Sequence, residues 1–378
     1  MAVTVIEANN KLIRFTREIN REFVRENMFS PYMSEDLNAI IRLRNELKAG
    51  GEIMNIPLVS RLTATAVGSG TLVGNEEKID NYGMRLKLDW ARNAVVTNKA
   101  ESQKDSADIF GEAKPLLADW GKELQRDEII ASLMALPTET LPGTDVRVNG
   151  IQYDLATAAQ RTTWNTDNSD RIVYGAAISN YNSNHVTALA TLDITADKFT
   201  ATNLSLLKRA AMGASPKIRP YKTSDGYEYF VAFAGLAAFR DLKISLETIN
   251  KDARPRENGG VAKNPLFQDG DQMYDGVIVR LVPEISNFVT SVWTNLLTAG
   301  TTSNRVEPVF LCGQQAVVMG WGQMAKPTFR KEDDYGFVTG TGIEMAYGVG
   351  KMFKKHPMTG TALKQWGVAT GFYSSAAD

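Results

Sequence analysis

Two histidines, His185 and His356, and one cysteine, Cys312, are the only imidazole and thiol groups in the sequence. No arrangement of three such groups reaches zinc-ligand spacing, so a zinc site is not expected. Asp269-Gly270-Asp271 with Asp275 outlines part of a calcium loop, but Met273 occupies a ligand position and Arg280 stands where a bidentate Glu is required. Glu332-Asp333-Asp334 is the one carboxylate cluster suited to acid–base work. Between Lys331 and Tyr335-Gly336 it reads as a solvated loop, or as one side of an inter-subunit salt bridge. Gly68, Gly70 and Gly74 miss the dinucleotide spacing. Gly350-Lys351 runs into Met352 and lacks the upstream glycine of a phosphate loop. No Gly-x-Ser-x-Gly elbow supplies a serine nucleophile, and His356, between Lys355 and Pro357, sits in a surface turn. The expectation is a protein that is not an enzyme and holds no cofactor or metal; an α+β enzyme built on Glu332–Asp334 is the rival from another class.

Bulk properties point the same way. The chain has 378 residues, 43% of them hydrophobic, 22% charged and 9% aromatic, an ordinary folded composition. Its length favours two lobes over a single core. Forty-two basic side chains against 43 acidic ones leave a net charge of -1, unlike a dedicated nucleic-acid binder, which needs excess Lys and Arg. The lone Cys312 is expected as a buried thiol in a protein made in a reducing compartment. The start lacks the basic and apolar regions of a secretion signal, and no window of ~18 apolar residues spans a membrane.

Positioning elements follow from periodicity. Leu12, Phe15, Ile19 and Phe23 give one apolar face to a helix over Lys11–Glu26. Arg14, Arg17, Arg21 and Arg25 lie alongside and are compensated by Glu18, Glu22 and Glu26. This is either a solvated flank or an arm that docks on a neighbouring subunit. After Pro57, the small-residue run Thr63–Gly70 and then Gly74-Asn75-Glu76-Glu77-Lys78 form an exposed tip. Beyond Asn81-Tyr82-Gly83 the alternation is strict. Met84, Leu86, Leu88 and Trp90 face one side, and Arg85, Lys87 and Asp89 the other. A two-stranded arm is marginal alone in water, so this apolar row must lie on its own lobe or on a neighbour's.

An unbroken helix is expected over 115–136, with Pro115 in its first turn and Pro137 stopping it. The loop-rich stretch 138–170 marks a lobe boundary. Further on, Thr195 is the expected N-cap of a helix through Phe199, Leu206, Leu207 and Ala210, closed by Gly213. Asp225-Gly226 turns into a strand over Tyr227–Phe233, and 251–275 is a long loop before the strand Val277–Val282. A strand from Val306 to Leu311, a short helix near Gln314–Met324, and strands around Ile343–Met345 and Trp366–Phe372 complete an α+β chain.

The order of these features resembles the Hong Kong 97-type (HK97-like) capsid fold of tailed bacteriophages. The order is an N-terminal arm, a strand-turn-strand loop, a long spine helix, an α+β lobe and returning strands. Local wording is also similar to the coat proteins of N-four-like short-tailed phages: Gly74-Asn75-Glu76-Glu77, Arg85 through Ala94, Asp119-Trp120, Leu311 through Ala316, and Gly348-Val349-Gly350-Lys351. The resemblance implies an N-terminal arm over 1–56, an extended loop over 57–100, a peripheral domain with the spine helix over 101–149, an axial domain over 150–330, and return strands over 331–378.

It further implies a major capsid protein that forms pentamers and hexamers of itself and encloses double-stranded DNA without sequence-specific binding. The implied partners are a separate scaffolding protein, a portal protein and a decoration protein, and the implied place is the virion capsid, assembled in the host cytoplasm. A cellular nanocompartment shell of the same fold is the nearest alternative. The expected inter-subunit contacts are Leu12, Phe15, Ile19 and Phe23 of the N-terminal helix, Glu76, Glu77 and Lys78 of the tip, and Met84, Arg85, Leu86, Lys87, Leu88 and Trp90 of the arm. An isopeptide cross-link through Lys78 is not expected.

Overall fold

A computed structural model describes residues 27–45, 52–104, 109–223, 226–252, 271–330, 334–355 and 360–375. The expected helix Lys11–Glu26 with Leu12, Phe15, Ile19 and Phe23 lies outside these residues, as do His356, Glu332 and Asp333 and most of the 251–275 loop.

Two sheets organise the chain. The first has six strands, in the order Met33–Ser34, Ile41–Arg44, Val317–Phe329, Val338–Lys351 and Asp89–Asn98, with Val148–Asn149 also pairing with Val338–Lys351. The second has seven: Gln272–Tyr274, Val277–Leu281, Glu228–Ala234, Arg305–Cys312, Val368–Ser375 and Ile172–Tyr174, with Tyr221–Lys222 beside Glu228–Ala234. Central strands of the second sheet are almost continuously apolar because both faces are covered. Their period of two sends Ala232, Ala234, Val309 and Leu311 into one cluster with the helices Ala201–Gly213 and Leu236–Asp252. It sends Val231, Phe233, Phe310 and Cys312 into the main core, with Trp164, Ile285 and Trp293.

The strand Arg305–Cys312 leaves the second sheet through a tight turn at Gln314-Gln315, where Gln315 has φ 53°, and enters the first sheet at Val317. The short helix expected near Gln314–Met324 is therefore replaced by the strand Val317–Phe329. Val317 and Val318 are β-branched, and parallel pairing with Ile41–Arg44 on one side and antiparallel pairing with Val338–Lys351 on the other outweighs any local helical spacing. Strands on either side of residue 330 are thus shared between the sheets: Val317–Phe329 belongs to the first, and Val368–Ser375 to the second.

The long helix spans Ala113–Met134, 22 residues with Pro115 in its first turn. It buries Leu117, Gly121, Ile129, Ile130, Leu133 and Met134, while Leu116 stays exposed. The chain turns extended at Ala135. The helix Ala201–Gly213 is capped by Thr200, whose side chain accepts from the Asn203 amide; Thr195, the expected cap, lies earlier. Its amide instead donates to the Asp193 carboxylate, and Asp197 takes the Asp193 amide, which closes a separate turn upstream of buried Phe199.

Candidate assembly surface

The arm is a two-stranded antiparallel ribbon, Ile53–Val59 against Asn81–Lys87, with Met54 opposite Leu86 and Ile56 opposite Met84. Both strands alternate, so Met54, Ile56 and Leu58 join Met84, Leu86 and Leu88 in a single apolar face. That face does not wait for a neighbour. It packs on Val318, Met352 and Phe353 of the same chain, and Leu86 is 0% exposed.

Glycines make the approach possible. A Cβ on Gly320 would lie 2.9 Å from Leu86 Cδ2, one on Gly350 3.2 Å from Leu86 Cδ1, and one on Gly348 2.0 Å from the Lys87 carbonyl oxygen. Each of these glycines lies in the first sheet, opposite one another or at alternate positions of its two long strands. Met84, Leu86 and Leu88, expected as inter-subunit contacts, are covered within the chain: Ile53–Val59 supplies a full matching row, and the glycine track seats the ribbon on its own lobe.

Polar flanks of the ribbon are tied to the same chain. Arg85 Nη2 donates to the Glu139 carbonyl at 3.0 Å, and Tyr82 OH donates to Glu139 Oε1 at 3.2 Å. Lys87 Nζ reaches Asp89 at 3.1 Å and the Gly143 carbonyl at 2.6 Å. At the neck, Asp80 accepts from Ser60 Oγ and from Lys354 Nζ, each at 2.7 Å. The Lys354 hydrogen bond, with that from Ser60, holds the Asp80 carboxyl below its ordinary range.

Past the neck, the loop carries exposed Leu62, Leu72, Val73 and Ile79. Glu77 bridges its two sides, accepting from the amides of Thr63 and Ala64 at 2.6 and 2.8 Å, and these bonds hold its carboxyl pKa below the ordinary range. Glu76 accepts from the Gly74 amide. Lys78 and Trp90 are exposed. Of the residues singled out in the arm, Glu76, Glu77, Lys78, Arg85 and Trp90 therefore lie on the outer surface, Lys87 is half-buried, and Met84, Leu86 and Leu88 are inside.

A second exposed apolar group lies at the far end of the first sheet, where Val95, Val96, Phe329, Tyr335 and Phe337 are exposed on neighbouring strands and their connection. Neither Val95-Val96 nor Phe329 stands out in the sequence; Phe329 lies beyond the helix expected near Gln314–Met324, at the end of the strand Val317–Phe329 that replaces it.

Of the residues suited to chemistry, His185 and Cys312 are in the core. His185 is buried between two tyrosines, and Cys312 is buried with its thiol pushed up by desolvation. Among the described residues, no cluster of three or more His, Cys, Asp and Glu could hold a metal ion, and no helix is long and apolar enough to cross a membrane.

No curated protein matches the chain. Among solved structures, the capsid asymmetric unit of cyanophage Pam1 is similar at 33% identity and a TM-score of 0.86, with 100% of both chains covered. The capsid of Ralstonia phage GP4 shares the fold at 16% identity and a TM-score of 0.69, over 100% of this chain and 99% of that one. The capsid of Helicobacter pylori bacteriophage KHP30 shares it at 14% identity and 0.64, over 99% of each. The α+β fold is thus the HK97-like capsid fold. A family model described as phage capsid protein matches residues 13–371, and the chain belongs to that family.

Proposed function

We propose that this chain is the major capsid protein of a tailed phage, assembling as pentamers and hexamers into an icosahedral head around double-stranded DNA. The observation that carries this reading is the family match along almost the whole chain, joined to an arm whose inner face is satisfied internally while its tip exposes apolar side chains. Such a subunit needs neighbours to cover its tip but not to fold. Many modest contacts repeated around a closed shell then give an assembly far more stable than any pair.

Near-neutral charge suits this role, since counterions can neutralise packaged phosphates. The division into arm, extended loop, peripheral domain, axial domain and return strands, the kinship with N-four-like coat proteins, and the scaffolding, portal and decoration partners belong to the same proposal. They are supported by the resemblance of residues 74–94 and 311–316 and by the order of elements. Negative-stain microscopy of the expressed chain tests the reading: closed shells or ring-shaped capsomers are expected, and a small discrete oligomer overturns it. DNA as the content of mature particles separates a phage head from a protein-filled compartment.

A further inference from the structure

The arm root and the second lobe face each other across a cavity of about 790 Å³. Its apolar lining includes Ile218, Phe230 and Trp366, with Met212 exposed at the edge. Its cations are unevenly matched. Lys208, Lys354 and Lys355 are paired with Asp275, Asp80 and Glu139. Arg61 and Lys78 from the arm, and Lys217 and Arg219 from the facing lobe, are exposed and take part in no ion pair among the described residues. Of the acids lining the cavity, Glu77 is held by backbone amides, Asp80 by Lys354 and Glu228 by Lys222. A chain of net charge -1 therefore concentrates four unmatched positive charges around an apolar floor, an arrangement that selects an acidic partner with an apolar side chain.

The chain itself carries such a group. Leu37 is 62% exposed and directly follows exposed Glu35 and Asp36. Tyr335 is exposed too and follows Asp333-Asp334, but Asp333 lies outside the described residues. The turn is preorganised: Ser34 Oγ donates to Asp36 at 3.0 Å, the Ala39 amide to the Asp36 carbonyl at 3.2 Å, and Asn45 Nδ2 to Glu35 at 2.7 Å. Little conformational freedom is left to lose on binding.

We infer that the Glu35-Asp36-Leu37 turn of a second copy of this chain docks into the groove between the arm and the second lobe, its carboxylates meeting Lys217, Arg219, Arg61 and Lys78 and its leucine meeting the apolar floor. This rests on the capsid reading and names one of the contacts that reading requires.

Reciprocal charge reversal in the full chain tests it. Lys217→Glu with Arg219→Glu, and separately Glu35→Lys with Asp36→Lys, are expected to lower the yield of closed particles at least about tenfold, with the melting temperature of the unassembled subunit unchanged. Combining all four restores the yield to within about threefold of the parent. The inference is overturned if the combined variant assembles no better than the weaker parent. It is also overturned if reversal at Glu35 and Asp36 leaves the yield intact, because the groove then takes another occupant. Failure of the unmodified chain to form particles overturns the capsid reading, and this inference with it.

Discussion

Lys351 Nζ donates to the Leu133 carbonyl oxygen at 3.0 Å, at the C-terminal end of the spine helix, and lies 5.4 Å from the centre of the Trp164 ring. A cation is well placed beside the last carbonyls of a helix, yet this one is fully enclosed, and among the described residues the Cys312 thiol is the one titratable group acting on it. Desolvation pushes its pKa down to about 7.

The unfolded chain binds this proton more tightly than the folded one between pH 7 and its ordinary value of 10.5, so stability should rise with pH through that window. Lys351→Met removes the penalty but leaves the Leu133 carbonyl unpaired, for a net gain of about 2 kcal/mol at pH 7 that shrinks as pH rises and turns into a net loss by pH 10. Denaturant melts of unassembled subunit across pH check this. A variant no more stable than the parent at pH 7 would contradict it.

His185 joins Tyr153 and Tyr174 in one proton-ordered chain. Tyr174 OH donates to Asn165 Oδ1 at 2.9 Å, so His185 Nδ1–H donates to Tyr174, and Tyr153 OH donates to Nε2 at 2.7 Å. Burial, followed by the charge of Arg161, lowers the His185 pKa to about 3. The imidazole should therefore stay neutral from pH 8 to 4 in a nitrogen-15 NMR titration. The unfolded chain takes up the proton near pH 6.5, so this site should lower stability as pH falls from 6.5 toward 3. A ring that titrates near pH 6 in the folded protein would refute the assignment.

Leu86→Asp places a carboxylate among Met54, Gly320 and Gly350 with no partner. It should cost the isolated subunit on the order of 3–5 kcal/mol and show as loss of soluble folded chain before any assembly step. Gly320→Ala works from the other side, through the 2.9 Å contact with Leu86 Cδ2, and should cost about 1–3 kcal/mol. A subunit that melts normally but fails to assemble would be the opposite outcome for both.

Lys354→Met removes the clamp on Asp80 at the arm neck. Faster amide hydrogen exchange is expected in Ile53–Val59 and Asn81–Lys87, with no change in the buried strand Arg305–Cys312. Uniform acceleration across both sheets would show that Lys354 supports the fold as a whole.

The alternation at Met84, Leu86 and Leu88 announced a half-buried strand directly, because a period of two needs no knowledge of the rest of the chain. What covers the strand was not legible. Gly320, Gly348 and Gly350 carry no side-chain pattern, and their importance lies in what they leave open to residues far away in sequence. The same non-local cause hid the strand Val317–Phe329, whose partners begin at Ile41 and Val338. The spine helix was legible to within two residues at each end because Pro115 and Pro137 punctuate it. Trp90 continues the alternating row in sequence, but it is 50% exposed because the ribbon has by then given way to the strand Asp89–Asn98.

The closed neck of the arm also has a practical meaning for peptide display. Ser60 and Asp80 are joined by a backbone bond from the Ser60 amide to the Asp80 carbonyl at 2.9 Å and by their side chains. Residues added near Ser69 therefore lengthen a loop whose ends are already pinned. Closure entropy grows only logarithmically with length, about 0.6 kcal/mol for each doubling. A foreign epitope carried there should leave the folded subunit nearly as stable as before, which makes this tip a tolerant insertion point in the described chain.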